Sequence, residues 1–253
     1  MPANMTSGAR FRTSGPACLV HYGLDILLSS SGDPMTRHAL LIALATVLAA
    51  PLADAQVCVG RPSLAVAPVH LAVGAGFTQG AKRVDADLGF GNAMAFGSVG
   101  AGLVDYDDVS ENATALTARG GLSYKAAGRS TVTVCPLVEL NYALGPNLRT
   151  NAGTARTTQV SVSGGFAIGG VVDVNPGFAV VPNAFAALVH SNVKTTLRGE
   201  SRSSGETGGS LGGGLSLLFN RVFAIVPGVA IPVGFDSSDP TFSIGVVIGF
   251  RGR

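Results

Sequence analysis

Apolar residues recur at every second position in one segment of this chain after another. Val132, Val134, Pro136, Val138, Leu140 and Tyr142 all fall on even positions, with Thr131, Thr133, Glu139 and Asn141 between them. Phe223, Ile225, Pro227, Val229, Ile231, Val233 and Phe235 repeat the pattern around Gly228, Ala230 and Gly234. Phe242, Ile244, Val246, Ile248 and Phe250 form the last such set. A period of two marks a β-strand with one apolar face, because successive side chains point to opposite sides.

The composition says what those apolar faces meet. Only 13 % of the residues are Asp, Glu, Lys or Arg, 47 % are hydrophobic, and 35 of the 253 are glycine. The mean hydropathy is +0.41. A water-soluble domain needs a more heavily charged surface, and a disordered chain is poorer in apolar residues. Membrane helices need about 20 uninterrupted apolar residues. The longest late run, 222–235, is interrupted by Pro227, Gly228, Pro232 and Gly234. Strands with one face to lipid and one to a lumen account for both the hydropathy and its distribution. A net charge of +2 offers no case for nucleic acid.

Fainter alternation fills the rest. Val69, Leu71, Val73, Ala75 and Phe77 mark a first strand, and Val84, Ala86, Leu88 and Phe90 a second, with Asp85 and Asp87 on its other face. A third, near 94–106, alternates poorly. Leu116, Ala118, Leu122 and Tyr124 mark a fourth, and 132–142 is the fifth. Val160, Val162, Phe166, Ile168 and Val172 mark a sixth, 178–190 a seventh and 211–219 an eighth; the two sets ending at Phe235 and Phe250 complete ten. Short turns at 91–93, 126–129, 175–177 and 220–221 alternate with longer polar stretches at 78–82, 107–113, 145–157, 191–209 and 236–240. The expected fold is a closed antiparallel up-and-down transmembrane β-barrel of ten strands, or eight if the second and third dissolve into irregular structure.

Two further patterns fit that parsing. GGLS at 120–123, GGFA at 164–167 and GGLS at 213–216 each precede a proline strand start, at Pro136, Pro182 and Pro227. The period is about 45 residues, one hairpin and its loop. Each proline falls on the lipid side and lacks a ladder donor, so a bulge or bend is expected there. Aromatics gather near strand ends, as in interfacial girdles: Phe90, Phe96, Tyr124, Phe178, Phe219, Phe223 and Phe250 at one end, Phe77, Tyr106, Tyr142, Phe235 and Phe242 at the other.

An export address precedes the strands. Met35, Thr36, Arg37 and His38 form a basic start, 39–50 an apolar core, and Ala53, Asp54 and Ala55 a cleavage site before Gln56. These are the three parts of a secretory signal in order. On this reading residues 1–34 are expected to be a leader from an upstream start, 35–55 a removed signal, 56–66 a periplasmic segment and 67–253 the barrel.

The whole resembles the small bacterial outer-membrane β-barrel proteins of the porin-like superfamily, over about residues 56–253. The resemblance implies residence in outer-membrane lipid. It also implies recognition by the barrel assembly machinery of the last strand, through Phe242, Ile244, Val246, Ile248 and Phe250. In that family the last strand commonly ends in Phe, whereas here Arg251, Gly252 and Arg253 follow. The resemblance carries no active site, cofactor or metal with it.

Candidate chemistry is sparse. Arg119 and Glu139 share an inward face on neighbouring strands and are expected to pair, with Asp85 and Asp87 as further lumen charges. They fit either a small polar pore or a lumen plug. Inward positions such as Ser161, Ser163, Gly165, Gly212, Gly214, Ser216, Ser243 and Gly245 are small or weakly polar. Cys58 and Cys135 both fall at the periplasmic end of exported sequence, where a disulfide between them can persist. His190, Ser191 and Asn192 resemble the His-x-Ser-Asn motif of outer-membrane lipid A deacylases. There His and Ser are two apart and share a face, which adjacent residues do not. Asp105, Asp107 and Asp108 with His190 faintly resemble the sites of outer-membrane proteases. Neither pattern supports catalysis, so a non-enzymatic barrel is the expectation. His70 stands alone on the first strand. The polar stretch 191–209 is the expected place for an extracellular ligand.

Overall fold

The computed structural model describes residues 57–62, 66–107, 111–125, 132–150, 153–235 and 239–251. The leader, the signal segment, the 126–129 turn and Asp108 lie outside the described residues.

Ten long strands form one antiparallel sheet. They are β1 (Val69–Thr78), β2 (Ala81–Gly91), β3 (Ala95–Tyr106), β4 (Ala113–Leu122), β5 (Val132–Thr150), β6 (Gly153–Gly170), β7 (Phe178–Leu197), β8 (Glu200–Phe219), β9 (Phe223–Val233) and β10 (Thr241–Phe250). Each pairs with its neighbours in sequence, and β10 pairs back on β1 from Val69↔Phe250 to Phe77↔Phe242, which closes the sheet into a barrel. The eight-strand alternative is thereby removed.

The alternation read from the sequence sets the faces. The exposed large apolar residues are odd on β1 and β3, even on β2, β4, β5, β6 and β7, odd on β8 and β9, and even on β10. Successive registers carry that parity around the whole ring without conflict. β3 alternates poorly because its inward face is partly apolar too: Phe96 and Val104 are buried while Val99 and Leu103 face out. Phe96 therefore leaves the girdle to which its position near a turn had assigned it. Phe178, Phe219 and Phe223 do gather there, with ring centroids 5.2 and 5.8 Å apart.

The prolines break the ladder without shifting it. Pairing between β4 and β5 stops at Gly121↔Leu137 and resumes at Tyr124↔Val134, across Pro136. The same happens between β8 and β9 across Pro227, from Gly214↔Gly228 to Leu217↔Ile225. Beyond Pro182 the short strand Val172–Asn175 takes up the β6 register again, with Val172↔Val180. A missing N–H removes one bond and leaves the frame intact across each proline itself. The register does shift between Asp173 and Asn175, beside the start of β7, and again between Leu144 and Asn147 at the far end of β5.

Three of the expected loops are mostly strand. Gln79 and Gly80 alone connect β1 to β2, since Thr78 pairs with Ala81. β5 and β6 run on through most of 145–157, and β7 and β8 through almost all of 191–209. Arg198 and Gly199, both at positive φ, make the two-residue turn at the tip of that last hairpin. The cause of the misreading is physical: alternation reports lipid on one face. A strand that rises out of the bilayer has water on both faces and is polar throughout.

Candidate functional site

The lumen is the first candidate. Its wall is built by the inward parity of every strand, which brings Arg83, Asp85 and Asp87 on β2, Arg119 on β4 and Glu139 on β5 to the inside. Arg119 and Glu139 stand opposite each other in the ladder and are ion-paired, with Nε donating to Oε2 at 2.7 Å. Arg83 pairs with Asp85 at 3.2 Å. Asp87 is taken by Arg61, whose two terminal nitrogens donate to both carboxylate oxygens at 2.5 and 2.8 Å. Three arginines thus pair with three carboxylates on the inner wall.

Arg61 belongs to a segment that does not form the wall. It belongs to the stretch 56–66, read from the sequence as a periplasmic segment. Its described residues 57–62 pack against the inner wall, at the end where the chain enters. A 3-10 turn, Val57–Val59, carries them. Val57 is buried among Ala72, Ala179, Val181, Leu218, Ala224 and Val247. Cys58 is buried with Phe96, Cys135, Leu137 and Ala167, and a disulfide joins it to Cys135 across 77 residues of chain, with the Cα atoms 6.2 Å apart.

The fit is close enough to require glycine on both sides. Gly60 has φ +72°, and a Cβ there would strike Asn183 and Ser216. On the wall, a Cβ at Gly169 would come within 2.6 Å of the Cys58 Cα and the Val57 carbonyl oxygen. Gly169 and Ser216 therefore make room for this inserted segment; of the two, only Ser216 was among the small inward residues read from the sequence. Arg83 shares parity with Asp85 and Asp87 and was legible by that rule. Arg61 carried no strand signal at all.

Further in, the lumen is lined by hydroxyls. Ser161, Ser163, Ser210 and Ser216 are buried, and their oxygens have no protein partner among the described residues. His70, isolated on the first strand in sequence, is fully buried here against Gly89. Buried polar groups of this kind are ordinarily satisfied by internal water.

The second candidate is the far end. β5, β6, β7 and β8 have 19, 18, 20 and 20 residues, against 10 to 12 in the other six strands. About 9–11 tilted residues suffice to cross a bilayer, so these four continue beyond the rim as a standing sheet. On its inner face Thr195, Leu197, Arg198, Glu200 and Arg202 line an open depression of about 480 Å³.

The enzyme-like patterns do not assemble. His190 and Ser191 lie on opposite faces of β7: His190 Nδ1 bonds the Thr207 hydroxyl outside at 2.9 Å, and Ser191 accepts from Gln159 inside at 2.8 Å. Asp105 and Asp107 belong to the β3 rim, where Lys82 bonds Asp107, and at least three strands separate them from His190 in either direction. Among the described residues no group of three or more His, Cys, Asp and Glu could hold a metal ion. Phe242, Ile244, Val246, Ile248 and Phe250 all face outward on β10, beside the closing seam.

A closed antiparallel barrel with an apolar outer band and a filled lumen has the architecture of the outer-membrane β-barrel proteins. No protein family and no curated protein sequence matches this chain. Among solved structures it is similar to the translocator domain of the autotransporter NalP from Neisseria meningitidis. That match has 13 % identity and a TM-score of 0.48 over 86 % of this chain and 97 % of that one. It is also similar to Ail, the attachment invasion locus protein of Yersinia pestis, at 13 % identity and a TM-score of 0.38 over 72 % and 95 %. The N-terminal β-barrel domain of Pseudomonas aeruginosa OprF matches at 13 % identity and a TM-score of 0.33 over 72 % and 96 %. The likeness is one of fold.

Proposed function

We propose that this chain is an integral, non-enzymatic outer-membrane barrel of the porin-like type, kept shut by its own N-terminal segment. The observation that carries the reading is the lodging of residues 57–62 inside the lumen, latched by the Cys58–Cys135 disulfide and the Arg61–Asp87 ion pair. A hydroxyl-lined interior whose arginines are paired with carboxylates supports passage of water or small uncharged polar solutes when the segment is withdrawn. Outer-membrane residence is part of the reading. It is supported by the outward apolar band and by the signal pattern read from the sequence at 35–55.

Single-channel recording in planar bilayers tests it. The oxidised wild type is expected to pass almost no current. The same protein after reduction, carrying Arg61→Ala, is expected to show discrete openings. A steady ohmic current through the oxidised wild type would overturn the reading.

A second reading, recognition at the cell surface, is favoured by the standing sheet of β5 to β8. Its inner depression and its exposed tip present both charge signs to solvent. Loss of binding to host-cell or matrix material on removal of 191–209 would support it, and undiminished binding would sink it.

A further inference from the structure

The outer face of the standing sheet carries a site of a different kind. The last outward apolar residues on this side are Leu144 on β5 and Val160 on β6; Val160 is the ladder partner of Tyr142, one row below Leu144. Lys194 stands in the row of Leu144, because Leu144 pairs with Thr158 and Thr158 with Lys194. Arg156 stands one row higher, opposite Thr196. Rows of one parity are about 7 Å apart along a strand. The ammonium and guanidinium therefore rise directly out of the top of the lipid-facing band, just beyond an interfacial tyrosine.

Both side chains share the outward parity of Val160 and Leu188, so they point away from the lumen and from the inner depression. Both are exposed. Their Cβ atoms are diagonal neighbours on adjacent strands, on the order of 7 Å apart, so their ends reach a common group. Hydroxyls surround them on the same face: Thr158, Thr196, Ser201 and Ser203, of which Thr196 and Ser201 bond each other at 2.9 Å.

Among the described residues neither cation has a carboxylate within ion-pair distance, whereas Arg61, Lys82, Arg83, Arg119 and Arg221 each have one. Glu206 has the opposite parity and faces in. Glu111 is the acidic group placed nearby in the register, and its carboxylate accepts from the backbone N–H of Asn147. What meets an outward face at this height is the polar layer of the membrane. A cation there gains from an anionic headgroup and loses little hydration.

We propose that Arg156 and Lys194 form a binding site for a phosphate group of a lipid headgroup in the outer leaflet, with Thr158, Thr196, Ser201 and Ser203 as supplementary donors. The site fixes the height of the standing sheet over the membrane. It rests on the orientation in the reading above, with the β7–β8 tip outside.

Native mass spectrometry of the full folded chain in neutral detergent tests the site, with bisphosphorylated lipid A and its dephosphorylated form as probes. The wild type is expected to retain the phosphorylated lipid and not the dephosphorylated one. Arg156→Gln with Lys194→Gln is expected to bind about thirtyfold more weakly, while excess inorganic phosphate leaves lipid binding in place. Equal retention of both lipids, equal binding by the double variant, or full displacement by inorganic phosphate each overturns the proposal; the last identifies a free-phosphate site.

A parallel arm separates the site from the orientation. Ser204→Cys near the β8 tip is expected to react with a membrane-impermeant maleimide on intact cells. If it does not, the orientation fails and the site with it. If it does and lipid retention ignores the two charges, the site alone fails.

Discussion

Arg61 holds Asp87 through two parallel hydrogen bonds, 2.5 and 2.8 Å long, across the boundary between an inserted segment and the barrel wall. Both side chains are about 15 % exposed. Breaking such a pair by removing one partner leaves a desolvated charge and costs about 3 kcal/mol or more. Replacing both by apolar residues leaves none. Arg61→Ala is therefore expected to destabilise the barrel more than the double variant Arg61→Met/Asp87→Leu does. Urea unfolding of the refolded protein in detergent ranks the two.

The disulfide restrains the same segment by a different route. Closing a 77-residue loop lowers the entropy of the unfolded chain by the equivalent of about 4 to 5 kcal/mol. Cys58→Ser with Cys135→Ser is expected to fold, unfold at lower urea, and raise the open probability in planar bilayers. An open probability equal to that of the wild type would leave the ion pair as the working latch.

Gly169 tests insertion from the wall side. Its missing side chain is where the Val57 carbonyl and Cys58 Cα approach. Gly169→Leu leaves every latch residue in place and fills that space. The expected result is a folded barrel with the segment displaced, read as new protease sensitivity near residue 60 and measurable conductance.

Removal of the standing sheet should leave the membrane part intact. The ladder below it, from Ser161↔Ser191 to Gly169↔Asn183, lies within the span. Replacing 192–205 by a two-residue turn, which joins the ladder partners Ser191 and Glu206, is expected to preserve the heat-modifiable gel mobility of the folded barrel. The same change should abolish binding assigned to the far end.

The last strand gives a prediction about assembly. Phe250 pairs with Val69 at the closing seam and faces outward. Phe250→Ala is expected to lower the amount of folded protein in cells severalfold while refolding in detergent stays near normal. A parallel loss in both settings would make Phe250 a stability residue and not a recognition signal.

How much of this was legible in the sequence differed by region. The parity of Val132 to Tyr142 and of Phe242 to Phe250 set both faces of β5 and β10, and therefore placed Arg119 beside Glu139. The third strand was blurred because Phe96 and Val104 face a lumen that is apolar at those points. The tall hairpins were read as loops because the polar sequence from Ser191 onward is what a strand shows once it leaves lipid. Arg61 was invisible: six residues that form no strand have no period to read.

The sequence by itself determined a closed antiparallel barrel of ten or eight strands, its apolar outer band and the inward parity of Asp85, Asp87, Arg119 and Glu139, and the closing register then chose ten. Period-two patterning is a local property, and lipid enforces it residue by residue. Only the tertiary structure decided that residues 57–62 enter the lumen, and that Arg61 meets Asp87 from a point 26 residues away. Those contacts depend on the three-dimensional space left by small inward side chains such as Gly169, and no stretch of chain records the shape of a cavity formed by all the others.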